Sequence, residues 1–100
     1  MFYHLYILYS KKFNRFYVGV TNNLIKRLSQ HNNEETPSTA GGTPWTLIWS
    51  ITKPTLREAE SLKQKLKHLS RDRKLKFMQK YNEGVVDQDL LQALSHLIKQ

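Results

Sequence analysis

HLYILYSKKFNRFYVGVTNNLIKRLSQHN, residues 4–32, consists of two short apolar runs, a polar break between them and a basic segment after them. Residues 5–9 and 16–20 are rich in β-branched and aromatic side chains, and the polar stretch 10–15 makes them the two arms of a hairpin. Tyr6 and Tyr17 therefore fall on neighbouring strands. Gly19 removes a side chain from inside the second strand, the device by which a strand admits another backbone or a ligand at close range. Thr21, Asn22 and Asn23 each suit the N-cap of a helix that runs to about Asn32. On that helix Arg27 and His31 are four residues apart and share a face. The pattern directs two tyrosines, an arginine and a histidine toward one place.

Everything downstream reads as support for that stretch. Residues 33–44 are rich in turn formers and lack periodicity, a loop long for a compact domain, to be read either as a functional segment beside the site or as a mobile connector. In residues 45–51, Trp45, Leu47, Trp49 and Ile51 alternate with Thr46, Ile48 and Ser50, which predicts a third strand with one apolar face. The tryptophans read as core, with base stacking the other role open to Trp45. Pro54 and Thr55 open a helix with Thr55 and Glu58 at capping-box spacing, and Leu56, Ala59, Leu62, Leu66 and Leu69 mark its buried face. Ser70 caps a further helix over 71–82, with Leu75, Met78 and Tyr81 as its apolar positions, and Glu83 and Gly84 stop it. A last amphipathic helix presents Leu90, Leu91, Leu94, Leu97 and Ile98 to the core or to a partner. The predicted fold class is α/β, a small three-stranded antiparallel sheet flanked by helices. Residues 1–82 form the domain and 83–100 a C-terminal helical extension.

Composition narrows the function classes. One hundred residues, 39% of them hydrophobic, supply one modest core and no second domain. No apolar run approaches the ~18 residues of a membrane span, and the first residues lack the charged leader and cleavage site of a signal peptide. The expectation is a cytoplasmic protein with no membrane role. The absence of cysteine excludes disulfides, thiolate zinc sites and a cysteine nucleophile, so any metal binds through oxygen or imidazole. The net charge of +8 is uneven: residues 53–80 carry ten Lys and Arg against Glu58, Glu60 and Asp72. Such a block attracts a phosphate backbone and makes affinity salt-dependent; as a charge run alone it reads equally as a solvated helical face.

Leu-Tyr-Ile at 5–7, Tyr-Val-Gly at 17–19, Thr21, Arg27 and His31-Asn32 resemble, in order and spacing, the signature of the GIY-YIG nuclease family. The likeness continues through Pro44-Trp45-Thr46-Leu47-Ile48 and the segment from Glu58-Ala59 to Arg71, covering about residues 4–80. It is greatest with the small stand-alone bacterial members. The resemblance implies an endonuclease that hydrolyses phosphodiester bonds with Mg²⁺ or Mn²⁺, acting on nucleic acid, DNA in preference to RNA, in repair or recombination. It assigns Tyr6 to water activation with Tyr17 beside it, Arg27 to the scissile phosphate and His31 to an auxiliary role, with Gly19 and Thr21 structural. Lys26, Lys67, Arg71, Arg73 and Lys74 are the candidate contacts to the nucleic-acid backbone. The chemistry adds a demand of its own. A free phenol has a pKa of about 10, so a tyrosine base needs Arg27, a metal ion or another neighbour to favour its anion.

One departure bears on the metal. The family carries a single carboxylate on the helix after the third strand, four residues beyond an alanine and four before a lysine. Ala59 and Lys67 take the flanking places here, and the carboxylate position is Lys63. An ammonium has no lone pair for a metal. Glu60, three residues earlier on nearly the same stripe, is either a displaced ligand or a surface partner of Lys63. Three readings follow: a nuclease with Glu60 as ligand, a nucleic-acid-binding module that has lost hydrolysis through Lys63, and a domain whose C-terminal helix docks on a protein partner.

Overall fold

The structure, a computed structural model, describes residues 1–98, with side chains as far as His96. Strands β1 (Tyr3–Ser10) and β2 (Arg15–Thr21) form an antiparallel hairpin, followed by α1 (Leu24–Asn32) and by β3 (Trp45–Lys53), which pairs antiparallel with the other edge of β1. Helices α2 (Leu56–Lys67) and α3 (Arg71–Lys80), a 3-10 turn (Asn82–Gly84) and α4 (Gln88–Ile98) complete the chain. The sheet order is β2-β1-β3. Residues 5–10 of the central strand are all buried, which is why residues 5–9 read as a continuous apolar run. The hairpin turn closes on Asn14 at φ 52°, a left-handed conformation that asparagine tolerates. Its side-chain oxygen accepts from the Tyr9 hydroxyl at 2.7 Å.

Helices cover both faces of the sheet. Leu5, Ile7, Val18 and Trp49 pack under Leu66, Leu75, Met78, Leu91 and Leu94 of α2, α3 and α4. Tyr6, Leu8 and Trp45 face the other way, with Tyr17, Leu24 and Leu28 packed on them, so α1 covers that side. Asn23 caps α1 by accepting from Lys26 N–H, Thr55 caps α2 by accepting from Glu58 N–H, and Ser70 caps α3 by accepting from Arg73 N–H. Among the described residues no helix is long and apolar enough to cross a membrane.

The single apolar face expected of residues 45–51 is corrected by a β-bulge. Ile7 lies opposite Trp49 but Leu8 opposite Leu47, so Ile48 is an extra residue in β3. One inserted residue reverses the faces of everything beyond it. Trp45 and Leu47 therefore join the α1 side, while Trp49 and Ile51 join the main core. Ile48 is itself fully buried, and its carbonyl accepts from Val86 N–H at 2.9 Å, which ties the segment after the 3-10 turn to the bulge. Leu56 also departs from expectation, 48% exposed on the first turn of α2. In α4, Leu91 and Leu94 cover the domain's own core. The expected placement of the Leu97 and Ile98 side chains lies outside the described residues.

Candidate functional site

The hairpin register builds the site. Tyr6 lies opposite Gly19 and Leu8 opposite Tyr17, which puts both tyrosines on the face covered by α1. A Cβ at position 19 would fall onto Cζ and Oη of Tyr6. What the glycine admits is thus the Tyr6 phenol, laid across the neighbouring strand. The Tyr6 and Tyr17 rings are 6.3 Å apart between centroids, and His31 from α1 lies 5.8 Å from the first and 4.9 Å from the second. Arg27, one turn earlier on α1, sets its guanidinium against both phenols, and their proximity favours its charged form. Its Nη1 also donates to Gln30 Oε1 at 3.1 Å. The structure therefore brings Tyr6, Tyr17, Arg27 and His31 together.

The hydrogen bonds of His31 favour one tautomer. Nδ1 lies 2.8 Å from Thr39 Oγ1, and that hydroxyl donates to the Thr36 carbonyl at 3.3 Å. With its one proton so committed, Thr39 accepts from His31 Nδ1–H. Nε2 is then unprotonated and accepts from the Tyr6 hydroxyl at 2.8 Å. Burial keeps the ring neutral. His31 is fully buried, and desolvation, with the Arg27 charge adding to it, pulls its pKa down to about 4. Tyr6 is 1% exposed, and desolvation outweighs the help of Arg27, so its pKa is pushed up to about 12. The resting pair is a neutral phenol and a neutral imidazole.

Two supporting residues, Thr39 and Gln30, carried little signal in the sequence. Thr39 sits in the loop 33–44, yet it is fully buried and holds His31, while its carbonyl accepts from Trp45 Nε1 at 2.9 Å. Nothing but its polarity marks it, since the contact depends on how the loop folds over α1. Asn32 holds the start of β3 by a pair of bonds, accepting from Trp45 N–H at 2.7 Å and donating to Trp45 O at 3.1 Å. Gln30 orients Arg27, and its i+3 spacing was the available clue. Thr21 accepts from Asn23 N–H at 3.1 Å and tightens the turn into α1.

A cleft of ≈ 400 Å³ opens beside the guanidinium, lined by Thr21, Asn23, Lys26, Arg27 and Leu56 among others. Lys67 and Arg73 are exposed on α2 and α3. Arg71 and Lys74 lie at the opposite end of β2, beside Asn14 and Arg15, and are not brought to the tyrosines. Lys63 Nζ binds Glu60 Oε2 at 2.9 Å, the one ion pair among the described residues. No three His, Asp or Glu side chains there come together as a metal cluster. With its family carboxylate position an ammonium and the nearest carboxylate already neutralised, the donor set does not fit a divalent ion.

A family model described as the GIY-YIG catalytic domain matches residues 2–82. Among solved structures, the solution NMR structure of a UPF0213 protein from Bacillus halodurans is similar, with 29% identity and a TM-score of 0.53. The alignment covers 79% of this chain and 84% of that one. A search of the curated proteins finds no match.

Proposed function

The chain belongs to the GIY-YIG family of nucleases, and from that premise we propose that it hydrolyses phosphodiester bonds in nucleic acid, DNA in preference to RNA. The observation that carries the reading is the buried hydrogen-bonded line from Tyr6 through His31 to Thr39, with the Arg27 guanidinium against its Tyr6 end. Phosphodiester hydrolysis needs a proton acceptor for the attacking water and positive charge for the transition state. A tyrosine with a pKa of about 12 offers almost no free phenolate at neutral pH. The imidazole removes that difficulty. As the water oxygen bonds to phosphorus, Tyr6 Oη takes its proton while passing its own to His31 Nε2. The bond to the leaving sugar oxygen breaks, and that oxygen takes a proton from solvent. Negative charge growing on the phosphoryl group favours the new imidazolium, reversing the bias that burial sets in the resting protein.

Arg27 supplies the positive charge. Its guanidinium turns from the phenols toward the phosphate, which also opens Tyr6 Oη to water, and Tyr17 lines the same wall. Lys26, Lys67, Arg71, Arg73 and Lys74 contact the remaining backbone. GIY-YIG nucleases are generally dependent on a divalent metal, but the residues here do not fit one, and the steps above use none.

The Lys63–Glu60 ion pair favours a second reading, a module that binds nucleic acid at Arg27 without cutting it. Cleavage of mixed DNA and RNA, with Mg²⁺, with Mn²⁺ and with a chelator, separates the two. The nuclease reading expects cutting by the wild type that persists in chelator, and unchanged cutting by Glu60→Gln. Binding without cutting under every condition identifies the module, with Arg27→Ala then weakening binding. Cutting that requires added metal and is lost in Glu60→Gln would instead assign Glu60 as the ligand and overturn the metal-free steps. Lys63→Glu, if it gains metal-stimulated cutting, shows that the lysine alone keeps an ion out.

A further inference from the structure

At the end of β2 away from Arg27, a hollow of ≈ 200 Å³ is lined by Asn14, Arg15, Phe16, Arg71 and Lys74. Three of the five are cations, and none has a carboxylate partner among the described residues, where Lys63–Glu60 is the one ion pair. Arg71 is held in place from two sides. Its Nη1 donates to the Asn14 carbonyl at 2.9 Å, and its guanidinium carbon lies 5.7 Å from the centroid of the Phe16 ring. Those contacts leave most of its N–H donors free, in a fixed fork that suits a phosphate. Lys74 is half-buried, and its ammonium donates to the Leu69 carbonyl at 2.6 Å. Positive charge collected in a hollow, fixed in position and left without a counter-ion, is an arrangement that an anion completes.

Its placement names the anion. Thr21, at one end of β2, lines the Arg27 cleft, and Arg15, at the other end, lines this hollow. Six residue steps at ~3.3 Å separate them by ~20 Å. Leu56, at the start of α2, lines the Arg27 cleft, and Lys63 and Lys67 stand seven and eleven residues on, along one stripe of the helix. The helix packs along β2, so the exposed Lys67 adds a cation on this side of the molecule, while Lys63 is held by Glu60. We propose that the hollow at Arg15, Arg71 and Lys74 is a second phosphate subsite for the strand bound at Arg27, set ~20 Å along its backbone. The subsite rests on the nucleic-acid reading and adds to it a minimum length of substrate.

The test is binding of single-stranded oligonucleotides to the full chain in chelator over a salt series. An octanucleotide spans ~24 Å even at ~3.4 Å per nucleotide, and a trinucleotide cannot reach both hollows. Arg15→Gln and Lys74→Gln should each weaken octanucleotide binding about 5-fold at 0.1 M salt and lower the log–log salt slope by ~0.7, with trinucleotide binding unchanged. Arg71→Lys, which keeps the charge and loses the fork, should fall between wild type and the neutral variants. Arg15 is exposed and Lys74→Gln keeps a donor for Leu69, so melting temperatures close to wild type separate lost contacts from lost folding. Octanucleotide binding that Arg15→Gln and Lys74→Gln leave intact overturns the subsite while the Arg27 site stands. Loss only with Arg27→Ala has the same meaning. An equal advantage for a polyglutamate of the same charge overturns it in favour of acidic protein, and failure of the wild type to bind either oligonucleotide overturns both proposals.

Discussion

An alanine at position 19 would carry a methyl group into the Tyr6 phenol. Neither group can move cheaply, because Tyr6 is buried on a central strand. Gly19→Ala should therefore cost ~1–3 kcal/mol in urea denaturation and weaken the bond from Tyr6 to His31. That a glycine mattered in the second strand was legible; that it makes room for Tyr6 was not, because the pairing depends on a turn closed by Asn14. His31 gives a second prediction at this scale. Its pKa is about 4 in the fold, against ~6.5 for an exposed histidine. Above pH 6.5 both folded and unfolded chains carry it neutral, so nothing is lost there. As pH falls from about 6.5 to about 4 the unfolded chain binds a proton that the fold excludes, and stability falls by up to ~3 kcal/mol, with no further loss from this group below 4. Urea midpoints at pH 7.5 and 4.5 should show this drop, and His31→Gln should remove it. The role of Thr39 in setting the tautomer could not be read from a loop without periodicity. Its buried contact is made by tertiary folding alone.

Helix boundaries follow from neighbours in sequence, and so Thr55 and Ser70 could be recognised as caps before any coordinates, while the first cap was narrowed to Thr21, Asn22 or Asn23 and the structure gives Asn23. Thr55→Ala should cost ~1 kcal/mol in the same denaturation measurement and leave the α1 side of the sheet untouched. The third strand behaves differently. Its alternation from Trp45 to Ile51 looked regular, but the extra residue at Ile48 is set by pairing with β1 and by the Val86 N–H, neither of which is adjacent in sequence. The bulge gives the two tryptophans separate tasks. Trp49 is fully buried in the main core, with its Nε1 donating to the Tyr81 carbonyl, and Trp49→Ala should cost ~3–5 kcal/mol. Trp45 lies 6.4 Å from the Tyr17 ring and anchors the Thr39 carbonyl. Trp45→Phe should cost less, ~1 kcal/mol for the lost hydrogen bond, while loosening the support of His31. Comparing the two variants by melting and by the His31 pH dependence checks the division.

At the scale of the molecule, the three-stranded sheet and its helices were legible because one stretch, residues 4–32, combines two β patterns with a capped helix, and because the family resemblance spans most of the chain. The basic block was visible as composition. That Arg71 and Lys74 of this block meet Arg15 in a hollow at the end of β2 away from Arg27 was not, since only the path of α2 and α3 brings them there. The C-terminal helix read as a cover for the core or as a docking element, and Leu91 and Leu94 lie in the core shared with Leu5, Ile7 and Trp49. Each buried leucine contributes ~1.5–3 kcal/mol in a fold whose whole stability is of order 5–15 kcal/mol. Truncation after residue 82 should accordingly abolish or broaden the cooperative unfolding transition seen by calorimetry. The central claim is that Tyr6 and His31 move the proton of an attacking water. Its most direct measurement is the rate at which saturating wild type and Tyr6→Phe cut one labelled DNA strand in chelator, with binding followed in parallel. The proposed site predicts cutting by the wild type, a fall of at least about 100-fold in Tyr6→Phe and unchanged binding; no cutting by the wild type, or equal cutting by the variant, would contradict it.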